Sequence, residues 1–305
     1  MKGITAATLA PNGFLDPGTP AWAGKASASK VAAMLGLSPF ESPFSLWHKM
    51  AGNIPWDVDN DTLRRGRYLE PALRQWWRDQ HAAHVVERTG TWVSLDRPWQ
   101  VASPDGIVCR RNIARTPDAI LECKTANNDW EWGAEESDEV PPYYRVQAVW
   151  TMDVLGLPRT HFAVLTSFMS FRQFTVEYDQ AEAEALRGQV AAFMGTLNAG
   201  TPPPLDGHDQ TYQAVRALHP DIDNTDAEIP TPIAAEFVDA VAAYEAATAA
   251  KRAATVKVAD LMGTARRAVA DRVVLATRQT RSGGTPHLVT ARGLTTRHTT
   301  GRTTP

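Results

Sequence analysis

The interval from Ser103 to Thr125 constrains the rest of the chain most tightly. It begins Ser103-Pro104-Asp105-Gly106-Ile107-Val108, passes through a polar, Arg-rich stretch, and ends Ala119-Ile120-Leu121-Glu122-Cys123-Lys124-Thr125. The second half reads as a buried strand that closes on an acid and a base two positions apart. Side chains alternate along a strand, so Glu122 and Lys124 share one face and Cys123 takes the other. Asp105, beside Gly106, reads as a hairpin turn or strand end. Pairing of the two segments would bring Asp105 close to Glu122 and Lys124. Two carboxylates beside an ammonium suit a divalent cation and an attacking water. An acid-x-Lys pair alone is most often a surface ion pair, so the weight falls on the joint pattern.

The remaining segments fall into order around this one. Residues 1–23, rich in Gly, Pro, Ala and Thr, are expected to form a poorly ordered arm. A short helix follows Ser27 or Ser29 and stops at Gly36, and a second runs from Phe44 to Met50. Thr62 to about Ala82 reads as a long helix with Leu69, Leu73, Trp76 and Trp77 near helical spacing. Gly66, Glu70 and Arg74 lie on one side of it, and Pro71 marks a kink or break. On the local pattern alone, Glu70 is an ordinary surface acid paired with Arg74 at i+4. Val85–Arg88 and Thr91–Leu95 read as strands around a Gly90 turn. A helix is expected from Tyr143 to near Gly156, then strands at 160–167 and 172–178, then a helix capped by Asp179.

This order predicts an α/β (α+β) core with a mixed central sheet flanked by helices over residues 24–204. A linker is expected at 205–232 and an Ala-rich helical and strand extension at 233–282. Its stripe of Ile233, Phe237, Val241 and Tyr244 suits docking on the core or on another subunit. Residues 283–305 are expected to be a basic, disordered tail; no acid follows Asp271, while Arg278, Arg281, Arg292, Arg297 and Arg302 do. Such a tail is usually solvated, and it also suits a phosphate backbone.

Net charge is -3, so the total does not announce a nucleic-acid partner, though a local basic groove can sit inside a neutral total. Two cysteines, Cys109 and Cys123, suggest a reducing compartment, and they are too few to ligate an iron–sulfur cluster. No signal peptide and no membrane-length apolar run is seen. Trp130 and Trp132 suit either base stacking or a lid packed on the core.

Several blocks in the same order resemble the YqaJ-type viral recombinase group of the PD-(D/E)xK nuclease superfamily, which includes the phage lambda exonuclease. They are Ser27-Ala28-Ser29-Lys30 with Leu35–Phe40, Ser45-Leu46-Trp47, Arg65–Pro71, Ala102–Gly106, Leu121–Ala126, and Pro141–Tyr144 with Gln147. The resemblance covers about residues 24–204 and implies a restriction-endonuclease-like fold. It implies Asp105 and Glu122 as metal ligands, joined by Glu70 and the Cys123 backbone carbonyl, with Lys124 as the catalytic lysine. Gln147 is implied to hold the lysine, the water or the DNA. Ser29, Lys30 and Tyr144 are implied to meet DNA, with Ser29 near a 5′-terminal phosphate. We expect Lys124 to act by orientation and electrostatics, since neighbouring carboxylates oppose the lower pKa that a general base needs.

The activity so implied is a Mg2+-dependent exonuclease, with Mn2+ as a second metal, that degrades linear duplex DNA from 5′ to 3′ for phage-type recombination. The implied setting is the cytoplasm of a bacterial host, as a homo-oligomeric ring trimer beside a single-strand annealing protein. The alternatives are an endonuclease of the same fold that is specific for DNA structure or sequence, and a DNA-binding scaffold that does not cleave.

Overall fold

Ala119, Ile120 and Leu121 lie fully buried at the centre of a mixed sheet. The computed structural model describes residues 3–16, 18–56, 61–111, 115–126, 129–280, 283–291 and 294. It divides into two units, Met1–Ile222 and Asp223–Pro305. In chain order the first unit holds β1 (Ala7–Leu9), α1 (Pro20–Ala23), β2 (Ala26–Ser27), α2 (Ala28–Met34), α3 (Pro43–Met50), α4 (Asp61–Gln80), β3 (His84–Glu87), β4 (Trp92–Ser94), β5 (Gln100–Ala102), β6 (Gly106–Arg110) and β7 (Pro117–Thr125). It continues with α5 (Pro142–Leu155), β8 (Arg159–Leu165), β9 (Phe171–Glu177), α6 (Gln180–Ala199) and α7 (Asp209–Leu218). The helices expected around Met50, Trp77, Trp150 and Val190 are all present, and Pro71 lies inside α4 without ending it.

The large sheet has the order β3-β6-β7-β8-β9. Only β7 and β8 run parallel, and the other neighbours are antiparallel. Two apolar layers follow from the period-two alternation. Ile107, Ile120, Phe162 and Val164 pack with Val149, Trp150 and Met152 of α5. Val108, Ala119, Leu121 and Ala163 pack with Leu73 and Trp77 of α4. The sheet is therefore covered on both faces, as a central parallel pair requires. Gly106 allows β6 to close on β3, because a Cβ there would stand 2.5 Å from Val86 Cγ1. Gly156 ends α5 in the left-handed conformation, φ 67°, that glycine adopts without strain. Trp150, fully buried, donates its indole N–H to the carbonyls of Ala26 and Val101, tying α5 to a smaller sheet of order β1-β4-β5-β2.

Three expectations are corrected here. The strands around Gly90 both form, but they do not pair: β3 joins β6 in the large sheet, while β4 joins β1 and β5 in the small one. Val85 and Val86 each pack into a different layer of the large sheet, Val85 in the layer that also buries Trp92. Residues 3–16 and 18–23 are part of the fold, since β1 pairs with β4 and Leu15 and Trp22 are buried. The segment expected as a linker contains α7, whose buried Ala214 packs with Phe44 and Ile54 and whose Thr211 hydroxyl bonds that of Ser42 at 2.7 Å.

The second unit comprises α8 (Thr231–Met262), β10 (Arg267–Ala270), β11 (Val273–Gln279) and β12 (His287–Thr290). The strands form an antiparallel sheet in the order β10-β11-β12. Met262, Ala268 and Ala276 form its core, with Val258, Leu275 and Leu288 packed against them. Within the segment expected as a disordered tail, residues 287–290 form a strand held by pairing with β11, while residues 292–293 and 295–305 lie outside the described residues. Arg281, Arg292, Arg297 and Arg302 lie outside the described residues. Ile233, Phe237, Val241 and Tyr244 are exposed. Among the described residues, no helix is long and apolar enough to cross a membrane.

Beneath α4, the His161 ring lies 5.3 Å from Trp77 and bonds the Thr175 hydroxyl through Nδ1 at 2.9 Å. Burial, helped by His81, Arg159 and His84 and opposed by Asp118, pushes its pKa down to about 4. A histidine kept neutral in the fold but protonated in the unfolded chain destabilises the fold as pH falls. The loss begins near pH 6.5, the unfolded value, and is complete near pH 4. Urea unfolding at pH 7 and pH 4.5 should show the wild type losing about 2 kcal/mol more than His161→Asn over that window. Equal losses in the two proteins would remove His161 as the cause.

Candidate active site

The paired strands deliver the three central groups. Antiparallel pairing of β6 with β7 sets Gly106 opposite Leu121, so Asp105 stands one residue beyond, beside Glu122 and Cys123. Its Oδ2 accepts the Cys123 backbone N–H at 2.7 Å. Glu122 is buried, with 1 % of its surface exposed, and points with Ile120 toward the α5 layer. Lys124 follows on the same face, its Nζ donating to Glu122 Oε2 at 2.9 Å and to Gln147 Oε1 at 3.2 Å. The Gln147 amide also donates to Glu122 Oε2, at 3.1 Å. The acid, the base and the amide therefore close a ring of three hydrogen bonds. Tyr144, one turn earlier on α5, sets its ring 5.0 Å from the Lys124 ammonium.

Glu70 arrives from the other layer, on α4. It pairs with Arg74 as the i+4 spacing predicts, but not as a surface pair, because Arg74 is buried and Glu70 half-buried. Burial and the charge of Asp105 raise its pKa against Arg74, Arg88 and Lys124. Glu122 is pushed up too, first by burial and then by Asp105 and Glu70, with Lys124 pulling the other way. Burial works against the charged form of Lys124, but Glu122 and Asp105 outweigh it and hold its pKa above the ordinary lysine value. Burial and the same three carboxylates raise the Cys123 thiol, so its sulfur stays protonated and only its backbone carbonyl remains as a donor.

Whether these groups suit a divalent cation can be tested on their chemistry. Glu122 Oε1 is buried and has no hydrogen-bond partner among the described residues. A buried acceptor left unpaired is costly unless something occupies it. Three carboxylates sense one another's charge here, and every donor is a hard oxygen, the ligand type of Mg2+. Among the described residues no three His, Cys, Asp or Glu side chains form a closed metal cage. Mg2+ does not call for one, since it is commonly held by one or two carboxylates, water and substrate phosphate.

The predicted DNA-contact residues separate. β2 runs parallel to β5, with Ser27 opposite Val101, so the chain after Ser27 and the chain leading to Asp105 leave the sheet at the same end. Ser29 is exposed there, its hydroxyl 3.1 Å from that of Ser27. Lys30 is not available to a phosphate. It is 3 % exposed, and its Nζ donates to the carbonyls of Trp22, Ala23 and Lys25 at 2.7, 3.1 and 3.0 Å. It also stands 3.6 Å above the Trp22 ring. Burial pushes its pKa down to about 7, while the carbonyls and the ring face favour the ammonium. Trp132 is buried against Phe174, whereas Trp130 is exposed. Arg74 joins the cluster as the Glu70 partner that the i+4 spacing predicts, but buried rather than at the surface.

Residues 20–158 match the family model described as YqaJ-like viral recombinase domain. The protein YqaJ of Bacillus subtilis (strain 168) is 24% identical over 205 residues, which span 65% of this chain and 61% of that protein. The alkaline exonuclease LHK-Exo from Laribacter hongkongensis is similar at 20% identity and a TM-score of 0.45, over 65% of this chain and 95% of that one. A phage related exonuclease from Haemophilus somnus 129PT is similar at 11% identity and a TM-score of 0.43, over 57% and 94%.

The buried ring makes a prediction about stability. Lys124→Met leaves Glu122 as a buried carboxylate beside Asp105 and Glu70, and should cost about 3 kcal/mol. Glu122→Gln added to Lys124→Met removes that charge, so the double variant should regain about 2 kcal/mol in urea unfolding. A double variant no more stable than Lys124→Met would show that Glu122 is not held as a charged partner.

Proposed function

We propose, from the YqaJ-like viral recombinase domain at residues 20–158 and the polar cluster inside it, that this chain is a metal-dependent DNA exonuclease. It would hydrolyse linear duplex DNA from 5′ to 3′ and leave single strands for phage-type recombination. The observation that carries the reading is the meeting of Asp105, Glu122, Lys124 and Gln147 at the end of β6 and β7. Asp105 and Glu122, with Glu70 and the Cys123 carbonyl, would hold Mg2+ or Mn2+. The metal would neutralise charge on the scissile phosphate and activate the attacking water.

The chain's own residues account for the rest. Lys124, fixed by two hydrogen bonds, offsets the negative charge that develops at phosphorus and orients the nucleophile. Gln147 holds that ammonium and the Glu122 carboxylate in register, so neither has to reorganise during reaction. Arg74 fixes the Glu70 carboxylate toward the cluster. Tyr144, beside the Lys124 ammonium, would line the approach from α5, and the exposed Ser29 hydroxyl would meet a terminal phosphate. Action in the cytoplasm of a bacterial host, beside a single-strand annealing protein and as a ring of identical subunits, completes the proposal.

The test uses one linear duplex with and without a 5′ phosphate, and a closed circle of the same DNA, each with Mg2+ or EDTA. Stepwise loss of the linear form alone is expected, abolished by EDTA and slowed at least ~100-fold in Lys124→Ala of verified fold. Ser29→Ala should lower the preference for a 5′ phosphate several-fold. Cutting of the circle would replace the reading with an endonuclease. Bound but uncut DNA would replace it with a recombination scaffold.

A further inference from the structure

The second unit divides its charge along the chain. From Asp223 to Glu245 there are six acidic residues and no Lys or Arg; from Ala246 to Pro305 there are two acidic residues and eleven Lys or Arg. The second half of α8, with the end of β11 and the start of β12, walls a groove of about 450 Å³. Lys251, Arg252, Arg278 and His287 line it, with the hydroxyls of Thr248 and Thr255, and no lining residue is acidic. We propose that this groove binds the phosphate backbone of DNA, as a contact separate from the cleavage cluster.

Three observations support that ligand. The Arg278 guanidinium is anchored, donating to the carbonyls of Gly263 and Ala259 where α8 ends, so one positive charge is fixed in the wall. Among the described residues, the side chains of Lys251 and Arg252 have no acidic or carbonyl partner. Nor is their charge accounted for by the helix dipole. They lie ten or more residues before Met262, whereas the dipole acts within the last turn of a helix. The Thr255 hydroxyl is spent on the Lys251 carbonyl at 2.8 Å, but unpaired cations in an acid-free groove match a chain of phosphates, which accepts hydrogen bonds and releases counterions when it is neutralised.

The inference takes its ligand from the reading of this chain as a DNA-processing enzyme, so the experiment separates the two. The full chain is titrated with a labelled short duplex and the matching single strand, in EDTA, from about 50 to 200 mM salt. Lys251→Glu/Arg252→Glu should weaken binding about tenfold and flatten the slope of log K against log salt by about two. Its cleavage rate at saturating DNA in Mg2+ and its melting temperature should stay at the wild-type values. Loss confined to the duplex or to the single strand identifies which form the groove holds, and either result supports the site. Wild-type affinity and slope in the double variant would overturn the groove while leaving the nuclease reading intact. Displacement of DNA by polyglutamate that is lost in the double variant, with no loss of DNA affinity, would overturn it in favour of an acidic protein segment. Absence of DNA binding and cleavage by the wild type would overturn the enzyme reading, and the groove's ligand with it.

Discussion

The parallel pairing of β7 with β8 is the constraint on which the candidate site depends. Antiparallel neighbours can be joined by a tight turn, but a parallel pair needs a crossover of a dozen residues or more. The chain between β7 and β8 provides it and carries α5 across the sheet. The helix packs its apolar side on Ile120, Phe162 and Val164, which leaves its early turns beside the end of β7. Gln147 and Tyr144 therefore meet Lys124 because the backbone of β7 and β8 demands a helix there. Asp105 depends on the opposite edge of the same strand, where β6 runs antiparallel and must turn in from β5. One central strand thus gathers a lysine and a glutamate of its own, an amide from α5, and an aspartate from the bend that leads into β6.

The cluster is expensive as a piece of protein interior. An ion pair taken from water loses solvation that its mutual attraction only partly restores. Gln147 reduces the cost by supplying both an acceptor to the lysine and a donor to the carboxylate. Among the described residues, two atoms of the cluster still lack hydrogen-bond partners, Glu122 Oε1 and Arg74 Nε. In an ordinary core such atoms are satisfied, and departures gather where a fold holds a ligand or performs chemistry. The carboxylates of Glu70, Asp105 and Glu122 likewise raise one another's energy, which an incoming cation would relieve.

How far this was legible in sequence depends on how local the deciding interaction is. The period of two along Ala119–Thr125 placed Glu122 and Lys124 on one face, whereas the pairing that brings in Asp105 was only a condition there and is supplied by the fold. The helices α2 to α6 and the strands β8 and β9 were likewise carried by local pattern, whereas α7 was not. Glu70 was ambiguous because i+4 spacing from Arg74 fits an exposed helix face as well as a buried one. What decides is Asp105, far along the chain, whose charge Glu70 senses. The split of β3 and β4 between two sheets was hidden for the same reason. Alternation reports that a segment is a strand, not which partner it takes. The first residues looked like an arm because they are rich in Gly, Pro, Ala and Thr, yet buried Leu15 and Trp22 anchor them.

Lysine shows the limit most clearly. Lys30 and Lys251 are equally basic in sequence, and Lys30 has the better position for a phosphate, next to Ser29. The backbone reverses that order. The chain from Trp22 to Lys25 turns three carbonyls onto the Lys30 ammonium and covers it with an aromatic face. That satisfies all three of its donors, so moving it to a phosphate would exchange formed bonds for new ones at no clear gain. Lys251 stands on a helix whose carbonyls are already engaged along its own axis, beside an arginine and opposite a histidine. Among the described residues no acid or carbonyl completes its shell. A cation becomes a binding group when the fold leaves it unfinished, and by that criterion the anion contacts of this chain are to be sought at Ser29, Lys124 and the α8 groove rather than at Lys30.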